Sequence, residues 1–222
     1  VSLRDNIERV EQRMETALRR AGRRREEITL VAVTKKFSPE VIREAYNLGL
    51  RVFGENYVQE FAGKRAALGD LAGAEFHLIG HLQSNKTRLA AELFDVIETV
   101  DSVKLARRLN EAGARLEVMI EVKLSPEESK AGADPAELPG LIEAIRACPN
   151  LRLTGLMTMP PWSADPDQTR PYFRRLAALA REHGLAKLSM GMSHDLEAAI
   201  EEGATHVRVG TALFGPRPKP GA

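Results

Sequence analysis

Between residues 28 and 214 the chain repeats one alternation: a short run of apolar and β-branched residues, then a stretch of helical period. The runs cover 28–33, 51–56, 76–80, 96–100, 116–122, 151–159, 187–190 and 206–209. The helical stretches cover 39–48, 57–68, 85–93, 103–112, 135–147, 166–183 and 194–202, with a last short turn at 211–214. Apolar runs of this length suit strands covered on both faces, and short links between alternating types suit a parallel sheet. Eight such units favour an α/β fold closed as a single (β/α)8 TIM-type barrel over an open doubly wound sheet. No Gly-x-Gly-x-x-Gly follows the first run, which weakens the dinucleotide-binding alternative.

A further helix is expected before the first strand. Leu3, Ile7, Val10, Met14 and Leu18 form one apolar face within residues 2–24, and the arginines between Arg19 and Arg25 suit its solvated C-terminal end. A length of 222 residues leaves no room for a second domain beside a barrel. The expected organisation is one domain over 1–222, with an N-terminal helix in 1–25 and a Pro-rich tail over 216–222. Composition matters mainly for what it excludes. A formal net charge of +1 without a basic patch argues against nucleic acid, and a single cysteine, Cys148, allows neither an internal disulfide nor a cysteine zinc cluster. No run approaches the roughly 20 apolar residues of a membrane span. The opening residues carry Arg4, Asp5 and Glu8 rather than a signal peptide's apolar core, so a cytoplasmic protein is expected.

In a barrel of this kind chemistry collects at the carboxyl ends of the strands. Lys35 and Lys36 follow the first strand, and Ser38-Pro39-Glu40 then opens a helix with an N-cap, a first-turn proline and an acid. Asn56 and Tyr57 follow the second strand, His81 the third, and Met157 lies near the end of the sixth. Gly191-Met192-Ser193 follows the seventh, where Ser193 suits the N-cap of the next helix, and Arg208, Gly210 and Thr211 end the eighth. Two helix starts led by glycine and a hydroxyl, after strands seven and eight, form a phosphate-binding pattern. A lysine facing such a site suits an aldehyde-bearing phosphate ester, and pyridoxal 5′-phosphate is the common cofactor of that description. Burial would lower the lysine pKa and free its amine to form a Schiff base. Strand alternation leaves Lys35 and Lys36 both open, since it says only that they point to opposite faces.

Seven segments carry a family resemblance: Ala32-Val33-Thr34-Lys35, Phe53 to Glu60, His77 to Lys86, Ser129 to Gly132, Gly155 to Met159, Leu188 to Ser193 and Val207 to Thr211. They run in order over nearly the whole chain, which resembles the YggS/PROSC-type pyridoxal phosphate homeostasis proteins. The resemblance implies a barrel of the kind alanine racemases share (similar to fold type III of the pyridoxal enzymes), without their additional β domain. It selects Lys35 over Lys36 as the cofactor lysine. It further implies Ser193, Gly210 and Thr211 at the phosphate, Arg208 against the pyridine nitrogen, and Asn56, His81 and Met157 around the ring. Lys123 departs from the asparagine usual there, and Lys36-Phe37 from the polar residue usual after the lysine.

Two functions compete on this pattern. One is a carrier that holds pyridoxal phosphate on Lys35, keeps it available in the cell and supplies it to pyridoxal-dependent apo-enzymes. The other is an amino-acid racemase or related enzyme. A guanidinium at the pyridine nitrogen leaves that nitrogen unprotonated and the cofactor a poor electron sink. Racemisation also needs an acid/base on each ring face, and the barrel-type racemases bring the second with a domain that is absent here. The expectation is therefore a monomeric carrier with no catalytic residue and no metal. A phosphate-sugar enzyme without cofactor is a weaker third reading.

Overall fold

The computed structural model describes residues 1–126 and 131–219. Eight strands close a parallel barrel in chain order: β1 (Thr29–Val33), β2 (Val52–Glu55), β3 (Glu75–Leu78), β4 (Val96–Val100), β5 (Leu116–Glu121), β6 (Leu151–Met157), β7 (Lys187–Ser189) and β8 (His206–Val209). β1 closes the ring by pairing with both neighbours, Val31 opposite Val52 on one side and Arg208 on the other. The expected alternation is thus the fold, an alanine racemase-like (β/α)8 barrel with a preceding helix. Ser129 and Lys130 lie outside the described residues.

The helices are α1 (Leu3–Arg20), α2 (Pro39–Asn47), α3 (Val58–Arg65), α4 (Thr87–Leu93), α5 (Val103–Glu111), α6 (Leu138–Arg146), α7 (Arg170–Glu182), α8 (Leu196–Glu201) and α9 (Thr211–Phe214). Several start later than the sequence periodicity predicts, because a 3₁₀ turn precedes them at 84–86, 135–137 and 166–169. Pro139 and Pro171, each in a first helical turn, explain two of these restarts. A proline there lacks a donor and suits an N-terminus, not a helix interior.

α1 opens on a capping box in which the Ser2 hydroxyl accepts the Asp5 N–H and the Asp5 carboxylate accepts the Ser2 N–H, both at 3.1 Å. Its apolar face buries Val10, Met14 and Leu18. Its polar side holds the site-bearing end of the chain. Arg13 reaches the Glu197 carboxylate at 2.6 Å and the Ser193 carbonyl at 2.7 Å, and the Asn6 amide reaches the Leu213 carbonyl at 2.7 Å. The added helix therefore buttresses α8 and α9.

The outer core, between strands and helices, is apolar, as strand alternation requires. The barrel interior departs from the branched-apolar filling usual for this architecture. It carries Glu98, Glu121, Ser189, His77, His206 and Arg208, all buried. His77 bonds Glu98 through Nδ1 and Glu75 through Nε2, each at 2.7 Å. Burial alone would push the imidazole pKa down, but the two carboxylates overcome that and hold it up at about 9. The same pairing holds Glu98 low despite its own burial. A raised histidine stabilises the fold fully below the unfolded value of about 6.5, and the contribution is lost as pH rises through about 9. Urea unfolding should therefore show stability falling between pH 7 and 9.5, by an amount on the order of 3 kcal/mol. Lys35, whose pKa is lowered, titrates in the opposite sense, so the slope is read against His77→Gln. Equal slopes in the two proteins would place the ionic contribution elsewhere.

Candidate functional site

β1 ends at Val33, so Lys35 and Lys36 stand beyond the strand, and its alternation does not govern them. They are the two central residues of a turn in which the Phe37 N–H donates to the Thr34 carbonyl at 3.1 Å. Lys36 has φ of 64°, the one positive value outside glycine among the described residues. Negative φ at the first central position and positive φ at the second make this a type II turn, whose second centre usually belongs to Gly or Asn. A lysine held there costs about 1–3 kcal/mol. The turn leaves Lys36 exposed and Lys35 half-buried. Burial pushes the Lys35 amine pKa down, Arg217 and Lys36 add to this, and Glu60 opposes it.

Lys35 borders a cavity of about 360 Å³ at the carboxyl ends of the strands, within the roughly 300–1,000 Å³ of small-molecule sites. Asn56, Ser193, Arg208, Gly210 and Thr211 border it too, so six of the eight residues singled out in the sequence meet there. His81 stands instead on a neighbouring cavity that shares Asn56. Gly80 makes that shared wall possible, since a Cβ on it would lie 2.2 Å from the Asn56 carbonyl oxygen. Met157 is fully buried in β6 and is not on the wall, where Met159 stands two residues further on.

Arg208 is fixed from β8 into the cavity floor. Nη1 donates to the Ser189 hydroxyl at 2.8 Å and Nη2 to the Thr158 carbonyl at 3.0 Å, while Nε is buried without a partner. Burial pushes its pKa down, and Glu98, Glu121 and Asp195 push it back. An arginine stays charged under such opposition. Glu121 responds in the complementary way: burial raises it to about 7 although Arg208 pulls it down.

Ser193 differs from the sequence expectation. It does not cap its own helix: α8 starts at Leu196 behind Asp195, whose carboxylate accepts the Met192 N–H at 2.7 Å. The Ser193 hydroxyl instead accepts the Ala212 N–H at 3.2 Å, tying the seventh βα loop to α9. Gly191 causes the redirection. Its φ is 98°, and a Cβ there would lie 2.4 Å from that of Ala199, so only glycine lets the loop turn this close to α8.

Met192, placed at this rim with its loop in the sequence, lines the wall, and Trp162, His194 and Arg217 are polar or aromatic wall residues that the sequence reading did not place there. Arg217 belongs to the segment expected to be a tail, and its signal was hidden by the surrounding prolines. His194 Nε2 is buried without a hydrogen bond, and its ring lies 5.9 Å from that of Trp162. Lys123 is not on this wall. Among the described residues no cluster of His, Cys, Asp or Glu could hold a metal ion, and no helix is long and apolar enough to cross a membrane.

The donor set fits pyridoxal phosphate. An amine of lowered pKa would suit the aldehyde, the unpartnered Arg208 Nε the pyridine nitrogen, and the Ser193 and Thr211 hydroxyls the phosphate. The buried Asn56 Oδ1, also unpartnered, adds an acceptor at the same wall.

Residues 3–218 match the family model for the alanine racemase N-terminal domain. A pyridoxal phosphate homeostasis protein of Pseudomonas aeruginosa is 48% identical over 222 residues, covering 97% of this chain and 96% of that protein. One of Aquifex aeolicus is 45% identical over 223 residues, covering 96% and 97%. The structure of PipY from Synechococcus elongatus with pyridoxal phosphate bound superposes with a TM-score of 0.84 at 37% identity, covering 96% of this chain and all of that one (100%). Alanine racemase of Clostridium difficile shares the fold at 16% identity and a TM-score of 0.73, but this chain covers only 57% of it.

Proposed function

The chain belongs to the pyridoxal phosphate homeostasis proteins of the alanine racemase N-terminal domain family, and from that premise we propose that it binds pyridoxal 5′-phosphate and acts in cofactor homeostasis. The observation that carries this is one cavity bordered by a lysine of lowered pKa and by a buried arginine whose Nε has no partner. Pyridoxal phosphate supplies an aldehyde, which an unprotonated amine attacks to form a covalent linkage with loss of water. Lys35 would provide that amine. Ser193, Gly210 and Thr211 would hold the phosphate, Arg208 would donate to the pyridine nitrogen, and Asn56 would border the ring. His81, in the neighbouring cavity, and Met157, behind the wall, would act on the ring only through Asn56 and Met159.

Holding rather than transforming is favoured by Arg208. A charged guanidinium against the ring nitrogen keeps protons off it, and without that proton the ring withdraws electrons poorly. The protein would then serve as a single-domain, monomeric cytoplasmic carrier whose recipients are pyridoxal-dependent apo-enzymes. Loaded protein is expected to restore activity to such an apo-enzyme. It should exchange the α-proton of amino acids with deuterated solvent no faster than free cofactor does. Exchange at about 1 per second or faster would make the protein an enzyme.

A further inference from the structure

We infer that Glu60, held by Lys64, is a positioning residue that keeps Lys36 in its left-handed conformation and so decides that Lys35, not Lys36, meets the cavity. The inference rests on the reading of Lys35 as the attachment point. Two adjacent lysines of the same reach follow β1, and something must break their equivalence. The type II turn does so, and a type I turn is its ready alternative, since most residues accept it. The two differ by a flip of the peptide between the central residues, which carries the Lys36 N–H.

That N–H donates to the Glu60 carboxylate. Flipping the peptide would turn the N–H away from Glu60 and strip the carboxylate of its backbone donor. Glu60 is itself fixed, because Lys64 Nζ lies 3.0 Å from it. The same ammonium donates to the Thr34 carbonyl at 3.1 Å and to Glu55 at 2.7 Å, and Glu55 accepts the Thr34 hydroxyl at 3.0 Å. Glu55 is wholly buried and Lys64 nearly so, at 6% exposure, which keeps water from competing. The first residue of the turn is thus gripped through its carbonyl and hydroxyl, and the third through its N–H. The fourth, Phe37, packs its ring 5.3 Å from that of Phe214 in α9. None of these groups touches the cavity; they act through the turn.

The test is a double-mutant cycle, read by visible titration with pyridoxal phosphate and by peptide mapping after borohydride reduction. Glu60→Ala should weaken cofactor binding about tenfold, the scale of one strained residue losing its restraint, and should move part of the label from Lys35 to Lys36. Glycine takes positive φ without steric cost, so adding Lys36→Gly to Glu60→Ala should return affinity to within about twofold; affinity is the readout there, since glycine offers no amine to label. If the alanine variant does not fold, Glu60→Gln keeps an acceptor but loses the charge that Lys64 grips. It should show a smaller loss, about threefold, with the same recovery by glycine. Unchanged affinity and labelling in the Glu60 variants, or no recovery with glycine, would overturn the inference. Label away from Lys35 in the parent protein would overturn the reading beneath it as well.

Discussion

Lys35→Ala protein is expected to stay colourless with pyridoxal phosphate, whereas the parent and Lys36→Ala should both develop the visible band of a covalently held cofactor. Mass mapping after borohydride reduction should find the pyridoxyl group on the peptide carrying Lys35. The size of the effect follows from proton chemistry. A free lysine with pKa near 10.4 is neutral in roughly one molecule in 2,500 at pH 7, too few for ready attack on an aldehyde. Burial beside Arg217 and Lys36 lowers the Lys35 pKa, which raises the neutral fraction. Lys36 is exposed and stands off the cavity wall. Acidification should accordingly slow attachment, since it protonates the amine. A band that survives in Lys35→Ala and vanishes in Lys36→Ala would reverse the assignment.

Arg208→Met is expected to lower stability by roughly 3–5 kcal/mol, the loss typical of removing one partner from a buried ionic group. The side chain is 2% exposed, and Glu98, Glu121 and Asp195 all act on it electrostatically. Glu98 would keep its bond to His77. Glu121 has only Arg208 pulling its pKa down, so without the arginine its pKa would rise further and the carboxylate would be uncompensated wherever it ionises, above neutral pH. Arg208→Met with Glu121→Gln should therefore recover much of the loss, and the single variant should lose more above pH 7 than at pH 5, where Glu121 is protonated. Urea titrations at both pH values measure this. A loss below about 1 kcal/mol, the scale of a solvated pair, would mean that the interior carboxylates do not depend on Arg208. Arg208→Glu, which would test the electron-sink argument directly, instead adds a third acid beside Glu98 and Glu121 and would confound folding with chemistry.

The barrel was legible because its cause is local. Each strand run is apolar enough to be covered on both faces, and Ser38-Pro39 marks a helix start that the structure retains, the hydroxyl accepting from Val41 at 3.4 Å. What was hidden depends on neighbours distant in sequence. The choice between Lys35 and Lys36 lies in a peptide orientation set from α3. The role of Ser193 depends on where α9 lies, not on its own helix. His77 read as a strand residue, and only closure of the barrel brings Glu98 against it. Arg217 sat among prolines that spelled a tail, yet it borders the cavity.

The pairing of β1 with β8 sets the moment at which this protein can acquire its ligand during synthesis. Lys35 leaves the ribosome long before Arg208, Gly210 and Thr211, so a nascent chain holds the amine well ahead of the opposite wall. A chain stalled or cut before β8 would offer the aldehyde only an ordinary solvated lysine. Ligand that binds the closed ring alone adds about 2.7 kcal/mol to its stability at a hundredfold excess over Kd, and none to any fragment. Colour in the purified protein would thus report finished barrels, because a fragment lacking β8 would lack the wall formed by Arg208, Gly210 and Thr211.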